Sequence, residues 1–200
     1  MDFYYAPTAC SQAAHILLHE AGLSFRPHAV DLFQHTLKDG SAYERINPNG
    51  YVPALLLEDG MLLTENVALL DWIAHAGDGL VPDGPLGRTR HLQMLAFLST
   101  ELQKPFVRLF FTQNDEEKAW LTETLGRRFG WIATRIEGDY LFGARFSASD
   151  AFFYVMARWA AMCGIALPGP LRTLADRIEA RPAVRTVLEK EGVAPLDGAA

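Results

Sequence analysis

Apolar positions follow two different rhythms along this chain of 200 residues. Near the start, Asp2 to Ala6 reads as a strand and Pro7-Thr8 as a turn. Ala14, Leu17, Leu18 and Ala21 then recur at the i, i+3, i+4 and i+7 spacing of an amphipathic helix, with Gly22 placed to stop it. "HAVDL" (28–32) reads as a second strand. The stretch that follows holds at most a short helix around Ser41 to Arg45 and a turn over Asn47-Pro48-Asn49-Gly50. In "VPALLLEDGMLLTE", two apolar strands flank Asp59-Gly60, a dipeptide favoured in two-residue hairpin turns. "TENVALLDWIAHAG" then places Val67, Leu70, Ile73 and Ala74 on one helical face. The predicted order is β-α-β, a loop, then β-β-α.

Residues 77–87, "GDGLVPDGPLG", are dense in glycine and proline and read as a linker. Beyond it the apolar spacing is helical throughout. A long helix is expected over "RTRHLQMLAFLSTELQKPFVRLFF", bent near Pro105, and a second from about Asp115 to Gly138. A third opens at "SASDAFFYVMARWAAM", and shorter ones follow at "GPLRTLADRIEA" and "RPAVRTVLEKEG". Ser147 and Asp150 stand as a capping box with Asp in the Glu position, a folding device rather than chemistry. An α/β half (1–76) joined to an all-helical half (88–200) implies two domains with a cleft between them.

Composition narrows the function classes. Half the residues are apolar, enough for real cores. The net charge is −6, and the 18 basic residues form no stripe, which argues against a nucleic-acid partner. No apolar run approaches the roughly 20 residues of a membrane span, and no basic segment leads into an apolar run at the N-terminus. A soluble, reduced, cytoplasmic protein is expected. Cys10 and Cys163 have neither disulfide-framework nor zinc-ligand spacing. His15 and His19 stand four apart, but the pattern lacks the glutamate of a zinc-protease motif, so packed or surface histidines and no metal are expected.

Cys10 is the candidate for chemistry. It falls at the first turn of a helix just after a strand, where unpaired N–H groups favour a thiolate and predict a pKa below the free value of about 8.5. A buried, inert cysteine is the competing reading of position alone.

The motifs "YYAPTACS", "INPNGYVPAL", "TENVALL", the Gly/Pro linker, "SASDA" and "RPAVRTVLEKEGV", in this order, resemble the cytosolic glutathione transferases, most closely the bacterial beta class. The resemblance covers nearly the whole chain. It implies a thioredoxin-like α/β N-terminal domain, an all-α C-terminal domain carrying the electrophile site and dimer contacts, and a homodimer. It also implies that the Val52-Pro53 bond is cis, so that the backbone of Val52 can pair with the cysteinyl part of glutathione. Glu65 and Asn66 would take the γ-glutamyl group, although Thr64, Glu65 and Asn66 read without the family as a simple helix cap. Tyr5, His35, Tyr51 and Lys104 complete the expected glutathione side.

Cys10 matches the beta-class cysteine that lies beside the glutathione sulfur and can form a mixed disulfide with it. Ala13 stands where Cys-x-x-Cys redox proteins carry a second thiol, so another glutathione would have to resolve that disulfide. Ser11 is a supporting donor, and Tyr5 a rival hydroxyl better suited to packing in the first strand. Three departures stand out. "ELQK" replaces the usual "ELHK", so Gln103 occupies a histidine position and thiolate stabilisation falls to the helix N-terminus and Lys104. Ala96 replaces a frequent asparagine, and His35 a frequent lysine. Phe106, Phe110, Phe111 and Trp159 could line a pocket for a small apolar electrophile, or could equally be core.

The leading function is an enzyme that transfers the glutathione thiolate to an electrophile, with thiol-disulfide or peroxide chemistry at Cys10 as a variant. The competing class is a non-catalytic binding or regulatory protein on the same scaffold, for which Gln103 and Ala96 speak.

Overall fold

The computed structural model describes residues 1–196. A sheet ordered β3-β2-β1-β4-β5 forms the first half. Its strands are β1 (Asp2–Tyr5), β2 (Arg26–Asp31), β3 (Thr36–Leu37), β4 (Ala54–Leu56) and β5 (Leu62–Thr64). β1 and β2 run parallel, joined through helix α1 (Ser11–Glu20), and β4 lies antiparallel to β1. The Asp59-Gly60 turn joins β4 to β5 as an antiparallel hairpin, which leads into α2 (Asn66–Ala76). β3 is the strand that periodicity missed, because two residues are too few to show alternation.

Strand alternation divides the sheet's two faces. Phe3 and Tyr5 of β1 point into the main core, while Tyr4 joins Val30, Tyr43, Val52 and Ala54 in a smaller cluster on the other face. Tyr43 begins a 3-10 turn (Tyr43–Arg45), and its hydroxyl donates to the backbone carbonyl of Tyr51 at 2.9 Å. That bond braces the segment entering Val52-Pro53, whose peptide bond is cis.

The helical half begins with α3 (Gly87–Phe97) and continues through a π-helical stretch (Leu98–Gln103) into α4 (Lys104–Phe111). The expected disturbance near Pro105 is therefore a widening of the preceding turn. Proline cannot donate to the carbonyl four residues back, and its ring crowds that carbonyl, which a π turn accommodates. α5 (Asp115–Ala133) ends earlier than the expected Gly138. α7 (Gly169–Glu179) and α8 (Pro182–Glu191) follow the central helix α6 (Ala148–Met162). α6 is buried on every side from Ala148 to Ala160, with Ser149, Asp150 and Arg158 as polar or charged side chains among its largely apolar residues. One apolar cluster runs through both halves, joining Leu17, Leu55 and Leu70 to Leu95, Phe106, Phe153 and Met156. Among the described residues, no helix is long and apolar enough to cross a membrane.

Polar groups lock this core at two points. The carboxylate of Asp150 accepts from the N–H of Leu141 at 2.8 Å, and from the N–H and hydroxyl of Ser147 at 2.9 and 2.6 Å. Glu191 of α8, buried with its partners, accepts from the Gln12 amide at 2.9 Å and pairs with His15 Nδ1 at 2.8 Å, tying α8 to α1. His19 lies 3.2 Å from the Lys190 ammonium, and burial, with that charge next, holds it down at about 4. The two histidine rings stack at 5.5 Å while each has its own polar partner, and among the described residues no cluster of three or more potential ligands could hold a metal.

Asp150→Ala would leave the buried N–H groups of Leu141 and Ser147 without acceptors, a loss of about 2–4 kcal/mol by urea denaturation. Burial raises the Asp150 carboxyl from 3.8 to about 6, so the folded protein holds this proton more tightly than the unfolded chain. Its stabilising contribution is full below about pH 4 and is lost as pH rises through about 6. Asp150→Asn should remove that slope, so the stability advantage of the parent over the variant shrinks between about pH 4 and pH 7.

Candidate active site

A cleft of about 1520 Å³ opens between the halves, with Cys10 in its lining. One wall comes from the α/β half: Val52 and the cis Pro53, then Thr64, Glu65 and Asn66 at the start of α2. The opposite wall is helical. Ser99, Gln103 and Lys104 form its polar part, and Val107, Phe110, Phe111, Trp159 and Met162 its apolar part. Phe33, His35, Lys38 and Tyr51 also line the cleft, with Phe33 93% and Tyr51 72% exposed.

The backbone is constrained around this cleft. Among the described residues, the non-glycine positive φ angles belong to Thr8 (63°), His35 (53°) and Glu65 (67°), and all three residues line it. Such conformations are costly and persist where the surroundings impose them. At Thr8 the restraint is visible: the indole N–H of Trp159 donates to its carbonyl at 2.7 Å, pinning the loop before Cys10 to α6. At Glu65 the distorted backbone precedes Asn66, the first residue of α2. Asn66 is 7% exposed, and neither its amide nitrogen nor its oxygen has a hydrogen-bond partner. A buried amide with both ends unpartnered is costly unless something else binds it.

The Cys10 thiol donates to the carbonyl of Val52 at 3.5 Å. Its pKa is pushed up to about 11, against the lowering expected from its helix position. Burial is the main cause and outweighs the N–H groups of Cys10 and Ser11 and the side-chain amide of Gln103, which act the other way. The charge of Glu65 also disfavours the anion. Loss of solvation therefore exceeds what the helix terminus returns. The side-chain amide of Gln103 is among the groups that favour the thiolate, and its Oε1 has no hydrogen-bond partner.

Other expected site residues lie elsewhere. Ser11 is fully buried behind the cleft, where its hydroxyl accepts from Ala6 N–H at 3.1 Å and donates to Ala6 C=O at 3.3 Å. It holds the end of the strand, with its only proton donated to Ala6, and takes no part in the cleft lining. Tyr5 is in the core, stacked on Phe3 at 6.0 Å. Phe106 is also core, fully buried between Phe129 and Trp159. On the helical wall, Val107 and Met162 are apolar lining residues that sequence reasoning passed over, as it did Lys38 and Ser99. Ala96 is exposed outside the cleft, and Ser99 lies on the Gln103 side instead. Lys38, three residues after His35, lines the cleft and shows no ion pair among the described residues, so a cation remains near the place where the sequence has His35.

The His35 ring explains one glycine. A Cβ on Gly50, whose φ is +69°, would lie 2.7 Å from His35 Cε1 and Nδ1. Gly50→Ala should therefore cost about 1–3 kcal/mol, from strain and from displacement of the ring. A urea transition unchanged from the parent would contradict this packing.

Comparison with known proteins agrees with this geometry. Residues 9–76 match the family "Glutathione S-transferase, N-terminal domain", and residues 100–191 match "Glutathione S-transferase, C-terminal domain". Glutathione S-transferase GstA of Escherichia coli O157:H7 is 34% identical over 96% of this chain and 100% of its own. A sphingomonad glutathione S-transferase solved in complex with glutathione superimposes with a TM-score of 0.90 at 39% identity, covering 97% of this chain and 100% of that one. A bacterial beta-class enzyme from Sphingomonas chungbukensis gives 0.86 at 35% identity, with 97% and 100% covered. The chain belongs to the glutathione S-transferase family, with bacterial beta-class enzymes among its structural neighbours.

Proposed function

We propose that this cleft binds glutathione and transfers its thiolate to a small apolar electrophile. The observation that carries the reading is Asn66, nine-tenths buried, unpartnered at both amide atoms and set at a helix N-terminus beside Glu65. An α-amino-acid headgroup is the complement of that arrangement. Its carboxylate takes the amide N–H of Asn66 and the free N–H groups of the α2 terminus. Its ammonium takes the Asn66 oxygen and the Glu65 carboxylate. The γ-glutamyl end of glutathione carries such a headgroup.

The remaining parts of the tripeptide follow from the wall. Its cysteinyl backbone pairs with Val52 in strand fashion, and its glycyl carboxylate is drawn toward Lys38, His35 and Lys104. The sulfur then lies over Cys10 and Gln103. Their neutral donors, with the first N–H groups of α1, stabilise a thiolate whose proton leaves to solvent. The electrophile rests on Val107, Phe110, Phe111, Trp159 and Met162. A sulfur–carbon bond forms there as the bond to the leaving group breaks, and holding both reactants in one cleft supplies the proximity. The family resemblance implies a homodimer, which light scattering would test.

Calorimetric titration of the reduced protein with glutathione should give saturable heat with a Kd between about 1 μM and a few mM, roughly −8 to −4 kcal/mol. No heat at several millimolar would refute the reading. Asn66→Ala should raise KM for glutathione about 10- to 100-fold, worth about 1.4–2.8 kcal/mol, with kcat on an aryl chloride changed far less. An unchanged KM would remove Asn66 from the headgroup site.

A further inference from the structure

We propose that Ser99 sets the specificity for the electrophile: its hydroxyl holds the carbonyl oxygen of an α,β-unsaturated carbonyl compound with an apolar tail while the glutathione sulfur adds to the double bond. The inference rests on the glutathione reading above and names the class of the second substrate. Its basis is the arrangement of the helical wall. In the π-helical stretch the Lys104 N–H bonds to the Ser99 carbonyl five residues back. A turn there holds more residues than in an α-helix, and Ser99 and Gln103 share the side toward the cleft. The other side chains of the stretch are engaged elsewhere. Leu98 and Leu102 belong to the core, the Thr100 hydroxyl donates to the Ala96 carbonyl at 3.0 Å, and Glu101 pairs with Arg128 at 2.7 Å. The Ser99 hydroxyl makes no such bond among the described residues. One turn on, the Gln103 Oε1 is buried and also without a partner. An open hydroxyl beside an open amide is polar surface that a ligand completes.

The order of groups along this wall selects the ligand. Beyond Gln103 the lining continues as Val107, Phe110 and Phe111, with Trp159 and Met162 contributed by α6. The glutathione sulfur, over Cys10 and Gln103, therefore has apolar surface on one side along the helix and Ser99 on the other. A molecule matching that order has an apolar body, then the carbon under attack, then an oxygen. Enones and enals have it, whereas an alkyl or benzyl halide has no oxygen to offer Ser99. A drug-sized ligand fills roughly 300–1,000 Å³, so the cleft of about 1520 Å³ has room for such a molecule beside the tripeptide. In the reaction the glutathione thiol gives its proton to solvent and its sulfur bonds to the β-carbon. The alkene electron pair shifts toward the carbonyl carbon and the carbonyl pair moves onto oxygen, giving an enolate. The Ser99 O–H donates to that oxygen as its charge grows, and solvent then protonates the α-carbon. No bond to a leaving group breaks.

The test compares two electrophiles with the same phenyl body, benzylideneacetone and benzyl chloride. The ratio of their kcat/KM values cancels any loss of folded enzyme or of glutathione binding. Ser99→Ala should lower the ratio of enone to halide about 10- to 100-fold, and Ser99→Thr, which restores a hydroxyl, should bring it back to within about threefold of the parent. A ratio in Ser99→Ala within about twofold of the parent, or a loss that Ser99→Thr fails to restore, would overturn the proposal. A parent enzyme that binds glutathione and consumes benzyl chloride but not benzylideneacetone would overturn it too, leaving the glutathione reading in place. No calorimetric heat from glutathione would bring down both.

Discussion

The buried helix α6 is the constraint on which the cleft depends. It is largely apolar and buried on every face, which requires the α/β half on one side and the other helices around the rest. The halves consequently share a core and meet with a fixed geometry. Asp150 sets where α6 begins by capturing its own first turn and the loop at Leu141. Eleven residues on from Ala148, the same helix presents Trp159, whose N–H holds the Thr8 carbonyl and with it the loop that delivers Cys10. The position of the reactive corner is thus referred to a helix from the other half. α8 closes the arrangement from behind, through the buried Glu191 pairing with Gln12 and His15 on the helix that Cys10 precedes.

At Cys10, two general effects of opposite sign meet. A helix terminus stabilises an anion by orienting dipoles that stay in place, and burial destabilises it by removing water. Sequence shows the first, because strand, turn and helix are legible in order. It cannot show the second, because the surroundings of the thiol, among them the Val52 carbonyl, Glu65 and Gln103, are brought together only by the fold. The expected low thiol pKa failed for this reason. The neutral Gln103 leaves the balance with burial.

Much of the rest was legible, and the exceptions share a cause. Local signals placed β1, α1, the Asp59-Gly60 hairpin, α2 and the α6 cap, since each depends on neighbours in sequence. Motif resemblance supplied the cis Val52-Pro53 bond and the place of Cys10, Glu65 and Asn66 in one cleft, which no periodicity encodes. Orientation was harder. Ser11 and Cys10 are adjacent, yet one side chain turns to the cleft and the other back to Ala6. Phe106 and Val107 divide likewise between core and cleft, so an aromatic count overvalued Phe106 and overlooked Val107 and Met162. The π-helical stretch altered the helix phase as well, leaving Ala96 outside and bringing Ser99 to the Gln103 side.

The unequal chemistry of the two walls suggests how activity and selectivity are divided. The α/β wall offers backbone groups, an unpartnered amide and the Glu65 carboxylate, held by a strained backbone and by bonds such as Tyr43 to Tyr51. Recognition there depends on hydrogen-bond geometry, so small displacements are expensive. The helical wall offers Val107, Phe110, Phe111 and Met162, partly exposed and apolar, for which contact area counts and orientation counts little. Substitution on that wall can change the shape presented to an electrophile while the sulfur-holding side stays fixed, provided Trp159 keeps its bond to Thr8. Trp159 is therefore the lining residue at which the two functions cannot be separated, since its ring belongs to the apolar wall and its N–H positions the thiol loop.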